Sequence, residues 1–289
     1  MKIAAYWWGG RREVGVLSND GSEVTPLSLG DDARETGALA LVEHLAAGQP
    51  LPKASGPRLP LAAVAVDAPL PRPRRNLFCV GRNYHAHARE LSGSVFRAAG
   101  KSDEAWPIVF TKPPECVIAP GAPIKLPRGI SEQVDYEAEL AVVIGRGGVN
   151  IRASRAMEHV WGYTIVNDVT ARDVQMRHQQ WDLGKSFDTF CPMGPFLASV
   201  DECDGANTSL RCWVNGELRQ EASTSDLIFD IPTLIETCSR GITLFPGDII
   251  ATGTPAGVGM GMTPPSFLKA GDTVRIAIDG IGTLENPVQ

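Results

Sequence analysis

The sequence has little that would suit a secreted, membrane-spanning or nucleic-acid-binding protein. Its six cysteines include no C-x-x-C pair, so neither a disulfide framework nor a zinc site is indicated, and a reduced, cytoplasmic protein is expected. The N-terminus has no secretory apolar segment, and no apolar run approaches the ~18 residues of a membrane helix. The formal net charge of −6 gives the chain no overall attraction for nucleic acid or an anionic membrane.

Nucleotide-binding motifs and long helical patterns are also scarce. The P-loop signature and the G-x-G-x-x-G of dinucleotide-binding folds are both missing. Most segments are instead short strand patterns, and Asn215-Gly216 and Asp279-Gly280 are strong hairpin signals between alternating runs. This mixture excludes a doubly wound sheet and predicts a β-rich α+β fold, a roll or sandwich with peripheral helices.

The chain divides into two parts at a proline-rich stretch. Residues 1–70 predict a small N-terminal α+β domain with one helix over 35–47, and seven prolines between residues 50 and 73 indicate a linker region. Residues 71–289 predict the larger domain. Within it we expect helices over 169–181 and over 230–241, the second capped by Asp230.

The segment "VDYEAELAVVIG" (134–145) is a strand pattern with acids at every second position, namely Asp135, Glu137 and Glu139. One interpretation is an edge strand whose outer face is solvated. However, "LAVVIG" is apolar on both faces, as in a covered strand, and carboxylates entering a covered sheet need a cation. Since the nearest basic residue downstream lies outside the run, a hard metal ion, Mg²⁺ or else Mn²⁺ or Ca²⁺, is the economical partner.

Asp168, after the strand pattern "GYTIVN", is the candidate for a third metal ligand. The alternative is an ordinary N-cap, because a helix is predicted to begin directly after it. On that helix Arg172 and Gln175 would share the side nearest the metal, unless they simply form a solvated face.

The segment "CVGRNYHAHARE" (79–90) supplies a candidate general base. On a helix His87 and Glu90 are neighbours, and a Glu that accepts from one ring nitrogen raises the basicity of the other. A surface His/Glu pair has the same spacing. The polar segment that follows, 91–106, has the composition of a mobile lid.

Two loops supply further candidates. Lys185, in "GKSFDTFCPMGP", is either a solvated charge or an oxyanion partner held by packing. The glycine-rich loop "GDIIATGTPAGVG" is either a plain turn or a cradle for an anionic ligand, in which backbone N–H groups such as that of Gly253, and Thr254, approach the ligand closely.

These segments, with "FTKPP", "VNGE" and "GDTVRIAIDGIGTLENPV", occur in the order typical of the fumarylacetoacetate hydrolase family. The chain resembles that family, its acylpyruvate hydrolase and 2-hydroxyhepta-2,4-diene-1,7-dioate isomerase members in particular, over roughly residues 74–289. The resemblance implies the family's β-roll, a homodimer, and Mg²⁺ as cofactor. It also places the family's site on this chain, with Glu137, Glu139 and Asp168 as metal ligands, His87, Glu90 and Lys185 as catalytic groups, and Arg172, Gln175, Gly253 and Thr254 as substrate contacts. Asp135 receives no role and is expected at the surface.

The activity implied is metal-dependent hydrolysis of a C–C bond in a 2,4-dioxo acid. His87, oriented by Glu90, would activate water, Lys185 would steady the oxyanion, and the metal ion would neutralise the enolate product. The same site also suits a decarboxylase or isomerase of a 2-oxo dicarboxylate. A hypothesis of another class is a noncatalytic binding protein in which the metal ion is structural.

Overall fold

The computed structural model describes residues 1–90, 106–177 and 180–289. The strands are β1 (Lys2–Trp8), β2 (Arg11–Leu17), β3 (Glu23–Pro26), β4 (Leu59–Pro60), β5 (Ala65–Asp67), β6 (Leu77–Gly81), β7 (Ile108–Lys112), β8 (Val117–Ile118), β9 (Val134–Asp135), β10 (Ala138–Ile144), β11 (Val160–Asn167), β12 (Thr170–Ala171), β13 (Cys191–Ser199), β14 (Ser209–Val214), β15 (Glu217–Ser223), β16 (Ile249–Ala251), β17 (Thr273–Ile278) and β18 (Gly282–Pro287). The helices are α1 (Asp32–Thr36), α2 (Ala38–Ala46), α3 (His85–Glu90), α4 (Arg172–Arg177), α5 (Asp182–Lys185) and α6 (Ile231–Ser239).

Two sheets hold most of these strands. Within the described ranges, one sheet of twelve strands has the order β4-β3-β2-β1-β13-β11-β10-β16-β6-β7, with β5 beside β1 and β8 beside β13. A second sheet has the order β15-β14-β17-β18. The main core includes Leu140 and Val142 of the large sheet with Leu210 and Ile276 of the small one, so it lies between the sheets. The predicted β-rich α+β fold is confirmed.

The N-terminal strands continue the large sheet, because β1 pairs with β13 as well as with β2. The helix predicted over 35–47 is wrong in its extent. Gly37, with a φ of 63°, separates α1 from α2, and a side chain there would collide with Pro69 and Pro71. The domain boundary at residue 70 and the homodimer stay predictions.

Local signals in the second half of the chain gave better predictions. Asn215 and Gly216 both have positive φ and join β14 to β15, as the hairpin signal indicates. Asp230 accepts from the Thr233 N–H at 2.9 Å and caps α6 as predicted. None of the helices in the described ranges is both long and apolar enough to cross a bilayer.

The helix predicted over 169–181 is wrong at its start, and residues 178–179 lie outside the described chain. Thr170 and Ala171 form β12, which pairs with β9, and α4 begins only at Arg172. Asp168 is therefore not the N-cap of this helix, which removes the structural alternative for that residue. The lid predicted over 91–106 falls almost entirely on residues outside the described ranges.

Candidate active site

Three acids meet at one end of the large sheet. Because β10 and β11 are antiparallel with Ala138 opposite Asn167, the residues flanking this pair are brought together. The Asp168 N–H donates to the Glu137 carbonyl at 2.8 Å, and the Glu137 N–H donates to the Asn167 side chain at 3.0 Å. Ligand oxygens of Glu137, Glu139 and Asp168 lie within 4.8 Å of one another, and all three residues are buried.

Cations of the polypeptide also reach this cluster, which corrects the expectation that none was near. Lys185 Nζ lies 2.7 Å from oxygens of both Glu137 and Asp168. Lys112, which sequence analysis missed, is fully buried with its Nζ 2.7 Å from Asp168 Oδ1. Lys112 also donates to the carbonyls of Val169 and Lys185. Its only signal in the sequence is a lysine at the end of an apolar strand.

Arg172 is the third buried cation and is held from two sides. Its Nε donates to Asp135 at 2.9 Å, and its Nη1 lies 2.6 Å from Glu137 Oε1. The same nitrogen is 3.3 Å from the Gln175 amide oxygen. Arg172 Nη2 is buried and has no hydrogen-bond partner among the described residues. That donor is therefore available to a ligand.

The prediction that Asp135 lies at the surface is wrong. The 134–145 segment is not one strand, since β9 ends at Asp135 and β10 begins at Ala138. Asp135 is completely buried, and it accepts from the backbone N–H groups of Gly259 at 2.7 Å and Met260 at 2.9 Å besides Arg172. Its carboxylate connects Arg172 to the end of the glycine-rich loop.

The His/Glu pair exists and is tied to the glycine-rich loop. His87 Nδ1 lies 3.0 Å from Glu90 Oε2, and Glu90 Oε1 accepts from the Gly257 N–H at 3.0 Å. Because an ionised carboxylate can only accept, the neutral form of the ring carries its proton on Nδ1, and Nε2 is then free to accept a proton. Nearby, the Asn83 side chain bonds the backbone of Thr252 and Phe229 across the fold.

The glycine-rich loop also contacts the acids. The Gly253 N–H donates to Glu139 Oε2 at 2.9 Å. Gly253 has a φ of 105°, and a Cβ would lie 2.8 Å from the Asn83 Cβ, so glycine is required at this close approach. Thr254 receives a hydrogen bond at 2.8 Å from Gln220, a buried residue of β15 that sequence analysis also missed.

One cavity gathers most of the predicted site residues. It is lined by His87, Glu137, Glu139, Arg172, Gln175, Lys185 and Thr254, together with Val80, Gly81, Arg82, Phe110 and Trp181. Glu90, Gly253 and Asp168 stand behind this wall through the contacts described above. The positions predicted separately from the sequence therefore converge on one pocket.

The protonation of the two glutamates differs because their partners differ. Burial raises the pKa of Glu139 well above its usual value, and the Asp168 and Glu137 carboxylates add to the effect. For Glu137, burial acts in the same direction, but Lys185 and Arg172 outweigh it and lower the pKa to about 2. In the described part of the chain Glu139 has no ion-pair partner.

The donor set fits a hard divalent cation. Three carboxylates offer oxygen ligands from two neighbouring strand ends, and a cation beside Glu139 would favour its charged form. Asp168 Oδ1 has no partner in hydrogen-bond geometry among the described residues, although Lys112 is close to it. The cluster could thus hold a metal ion, and the chemistry of the ligands excludes a soft one.

A family model described as fumarylacetoacetate (FAA) hydrolase C-terminal matches residues 76–289. The chain belongs to the fumarylacetoacetate hydrolase family. It is 51% identical over 231 residues to the oxaloacetate tautomerase YisK of Bacillus subtilis (strain 168), a match that covers 79% of this chain and 74% of that protein. It is 45% identical over 228 residues to the mitochondrial oxaloacetate tautomerase fahd2 of Xenopus laevis, covering 78% and 68% of the two chains.

Solved structures of the family share the whole fold. A fumarylacetoacetate hydrolase from the psychrophile Exiguobacterium antarcticum superposes with a TM-score of 0.84 at 40% identity, covering 100% of this chain and 99% of that one. A 2-hydroxyhepta-2,4-diene-1,7-dioate isomerase from Mycobacterium marinum superposes with a TM-score of 0.77 at 35% identity, covering 100% and 98%. The protein is thus an enzyme of this family with an acidic cluster that could bind a divalent metal ion.

Proposed function

We propose that this enzyme is a tautomerase, which interconverts the keto and enol forms of a 2-oxo dicarboxylate such as oxaloacetate. The observation that carries the proposal is a bare imidazole nitrogen on the wall of a cation-rich cavity, since tautomerisation needs a base and a charged pocket but no water. Two relatives, each matched by this chain over more than two thirds of the relative's own length, are named oxaloacetate tautomerases. This favours isomerisation over the hydrolysis expected from the sequence.

The charges around the cavity suit an anionic substrate. Arg172 Nη2 has no partner among the described residues, and Lys185 uses two of its three N–H groups on Glu137 and Asp168. These donors can bind carboxylate and carbonyl oxygens of a 2-oxo acid. The Gln175 side chain, which lines the cavity beside Arg172, adds an uncharged polar contact.

A divalent cation held by Glu137, Glu139 and Asp168 would draw electron density from a 2-oxo acid and so acidify the protons beside its carbonyl group. His87 would take such a proton from carbon on its Nε2, while Glu90 on Nδ1 stabilises the imidazolium that forms. Lys185 would donate to the oxygen that gains negative charge. The proton then passes from His87 to that oxygen, so no atom is gained or lost.

Hydrolysis of a C–C bond in a 2,4-dioxo acid is the second candidate function. The same pair of His87 and Glu90, 3.0 Å apart, favours it, because a base placed there can also take a proton from water. Decarboxylation of the 2-oxo dicarboxylate is a third use of the pocket that the assay below separates from both.

The test follows oxaloacetate after its enol form is injected into buffer. Ketonisation is read as loss of the enol's ultraviolet absorbance, with and without Mg²⁺ and with EDTA. Release of CO₂ from oxaloacetate and cleavage of acetylpyruvate are measured in parallel. We expect the enzyme to accelerate ketonisation over the rate in buffer, and we expect EDTA to abolish this acceleration. Little CO₂ should be released from oxaloacetate, and little acetylpyruvate should be cleaved.

Variants at two neighbouring histidines supply the control. His87→Ala should lower the ketonisation rate about 100-fold or more, the usual contribution of a general base. His85→Ala is the matched control, since His85 lines a different cavity, and it should keep the wild-type rate. Faster turnover of acetylpyruvate than of oxaloacetate would instead favour the hydrolase, and equal rates in both variants would remove His87 from the mechanism.

A further inference from the structure

Gln220 is a buried amide that touches the active site from the second sheet. It lies on β15 and is completely buried. Its Oε1 accepts from the Ala138 N–H at 3.1 Å, between the two glutamates of the acidic cluster. Its Nε2 donates to the Pro255 carbonyl and to Thr254 Oγ1, each at 2.8 Å. All of its hydrogen-bonding groups are therefore engaged with the walls of the site.

Backbone groups determine which way this amide points. The Ala138 N–H can only donate, and the Pro255 carbonyl can only accept. The oxygen of Gln220 must therefore face Ala138, and the nitrogen must face Pro255. A flipped amide would place two donors together at one end and two acceptors at the other, which costs free energy in a buried site.

The orientation of the amide decides the role of the Thr254 hydroxyl. One N–H group of Gln220 points at the Pro255 carbonyl and the other at Thr254, so the hydroxyl oxygen of Thr254 accepts this second bond. Its hydrogen must then point elsewhere, and no acceptor for it lies among the described residues. Thr254 is buried and lines the cavity, so the O–H is directed to a ligand there.

We propose that Gln220 is a positioning residue that fixes the Thr254 hydroxyl as a hydrogen-bond donor towards the cavity. This position then selects ligands that place a carboxylate, carbonyl or enolate oxygen against it. The inference rests on the proposed function only in taking a 2-oxo acid as the ligand. The hydroxyl is not free to rotate, so a ligand that offers a donor at this point is disfavoured.

The test measures binding rather than turnover, with oxalate as the probe because its four oxygens only accept. Calorimetry in buffer with Mg²⁺ gives the Kd for the wild type and for Thr254→Val, Thr254→Ser, Gln220→Glu and the Gln220→Glu/Thr254→Val double variant. Thr254→Val should weaken binding about tenfold or more, the usual loss for a hydrogen bond to a charged group. Thr254→Ser should keep the wild-type Kd.

Gln220→Glu is the decisive variant. The oxygen that replaces the amide nitrogen accepts from Thr254 and turns its hydrogen away from the cavity, so the loss of affinity should equal that of Thr254→Val. The double variant should then bind no more weakly than either single one, because both remove the same bond. Gln49→Glu adds the same charge at an exposed position and should bind as the wild type does.

Three outcomes would overturn the proposal. Gln220→Glu could bind oxalate with wild-type affinity, or the double variant could lose as much affinity as the two single variants multiplied together. Thr254→Ser could also weaken oxalate binding as much as Thr254→Val does. Where Gln220→Glu fails to fold, or oxalate does not bind, a neutron structure of the deuterated wild-type protein decides. Deuterium on Thr254 directed at the cavity supports the inference, and deuterium directed at Gln220 refutes it. A protein that gives this binding pattern without tautomerase activity would contradict the proposed function alone.

Discussion

Replacing Asp135 by asparagine removes one negative charge from the best-connected carboxylate of the site. Its Oδ1 accepts from the N–H groups of Tyr136 and Gly259, and its Oδ2 accepts from Met260 N–H and Arg172 Nε. Whichever way the new amide turns, its NH₂ group faces two donors. The variant therefore loses the buried ion pair and two hydrogen bonds together.

The expected loss of stability follows from burial. Asp135 and Arg172 are both almost inaccessible, and removing one partner of a buried pair costs about 3–5 kcal/mol. We take about 4 kcal/mol in the free energy of unfolding. At about 2–4 °C per kcal/mol for a domain of this size class, Tm should fall by about 10 °C. Arg172 also loses its anchor, so oxalate should bind more weakly.

Thermal and urea denaturation of Asp135→Asn beside the wild type measures the loss. Glu132→Gln, which removes an exposed acid three positions earlier, is the matched control and should change Tm by no more than about 1 °C, as is usual for surface substitutions. If Asp135→Asn behaved like this control, the carboxylate would be solvated, and its proposed part in holding Arg172 would be wrong.

Three further predictions concern the charges of the site. The pKa of Glu137 is lowered to about 2 because Lys185 and Arg172 outweigh burial. The ionised carboxylate therefore contributes about 3 kcal/mol to the free energy of unfolding. This contribution is complete above the usual pKa near 4.5 and is lost as pH falls towards 2. Acid denaturation of Glu137→Gln should lack this dependence, and an identical curve would contradict the ion pairs. Lys112→Met should lower the free energy of unfolding by about 3 kcal/mol, because Asp168 loses a buried partner. Mg²⁺ should raise the Tm of this variant more than that of the wild type. An equal Mg²⁺ effect in both would show that Lys112 does not balance Asp168. Because the pKa of Glu139 is raised chiefly by burial, Mg²⁺ binding should release a proton from it. Calorimetry in two buffers of different ionisation enthalpy should detect this proton, and Glu139→Gln should release none. Equal heats in the two buffers would mean that Glu139 is already ionised.

Features that depend on a few adjacent residues could be predicted from the sequence. The Asn215-Gly216 hairpin and the Asp230 cap are set by local backbone geometry, so no distant contact was needed to infer them. The acids at 137 and 139 stood out because a covered strand seldom carries carboxylates. The alternation of the strand pattern thus revealed two of the three acids of the candidate metal cluster.

Residues contributed by distant strands could not be found in this way. Lys112 and Gln220 reach the site only because the fold brings the end of β7 and the middle of β15 beside it. Asp135 was placed wrongly because the family resemblance gave it no role, so it was expected at the solvated start of the strand. The break between β9 and β10 turns its side chain to Arg172 instead.

The buried cations change the reason for inferring a metal ion but leave the inference in place. The sequence suggested that the acids had no cation nearby, whereas the structure pairs Asp135, Glu137 and Asp168 with protein cations. Among the described residues, none of the ion pairs of the three buried cations includes Glu139, and the raised pKa of Glu139 marks where the negative charge is in excess. One divalent ion would reverse that balance and make the pocket attractive to a dianion. The metal hypothesis therefore depends on the charge of Glu139 rather than on an absence of lysine and arginine.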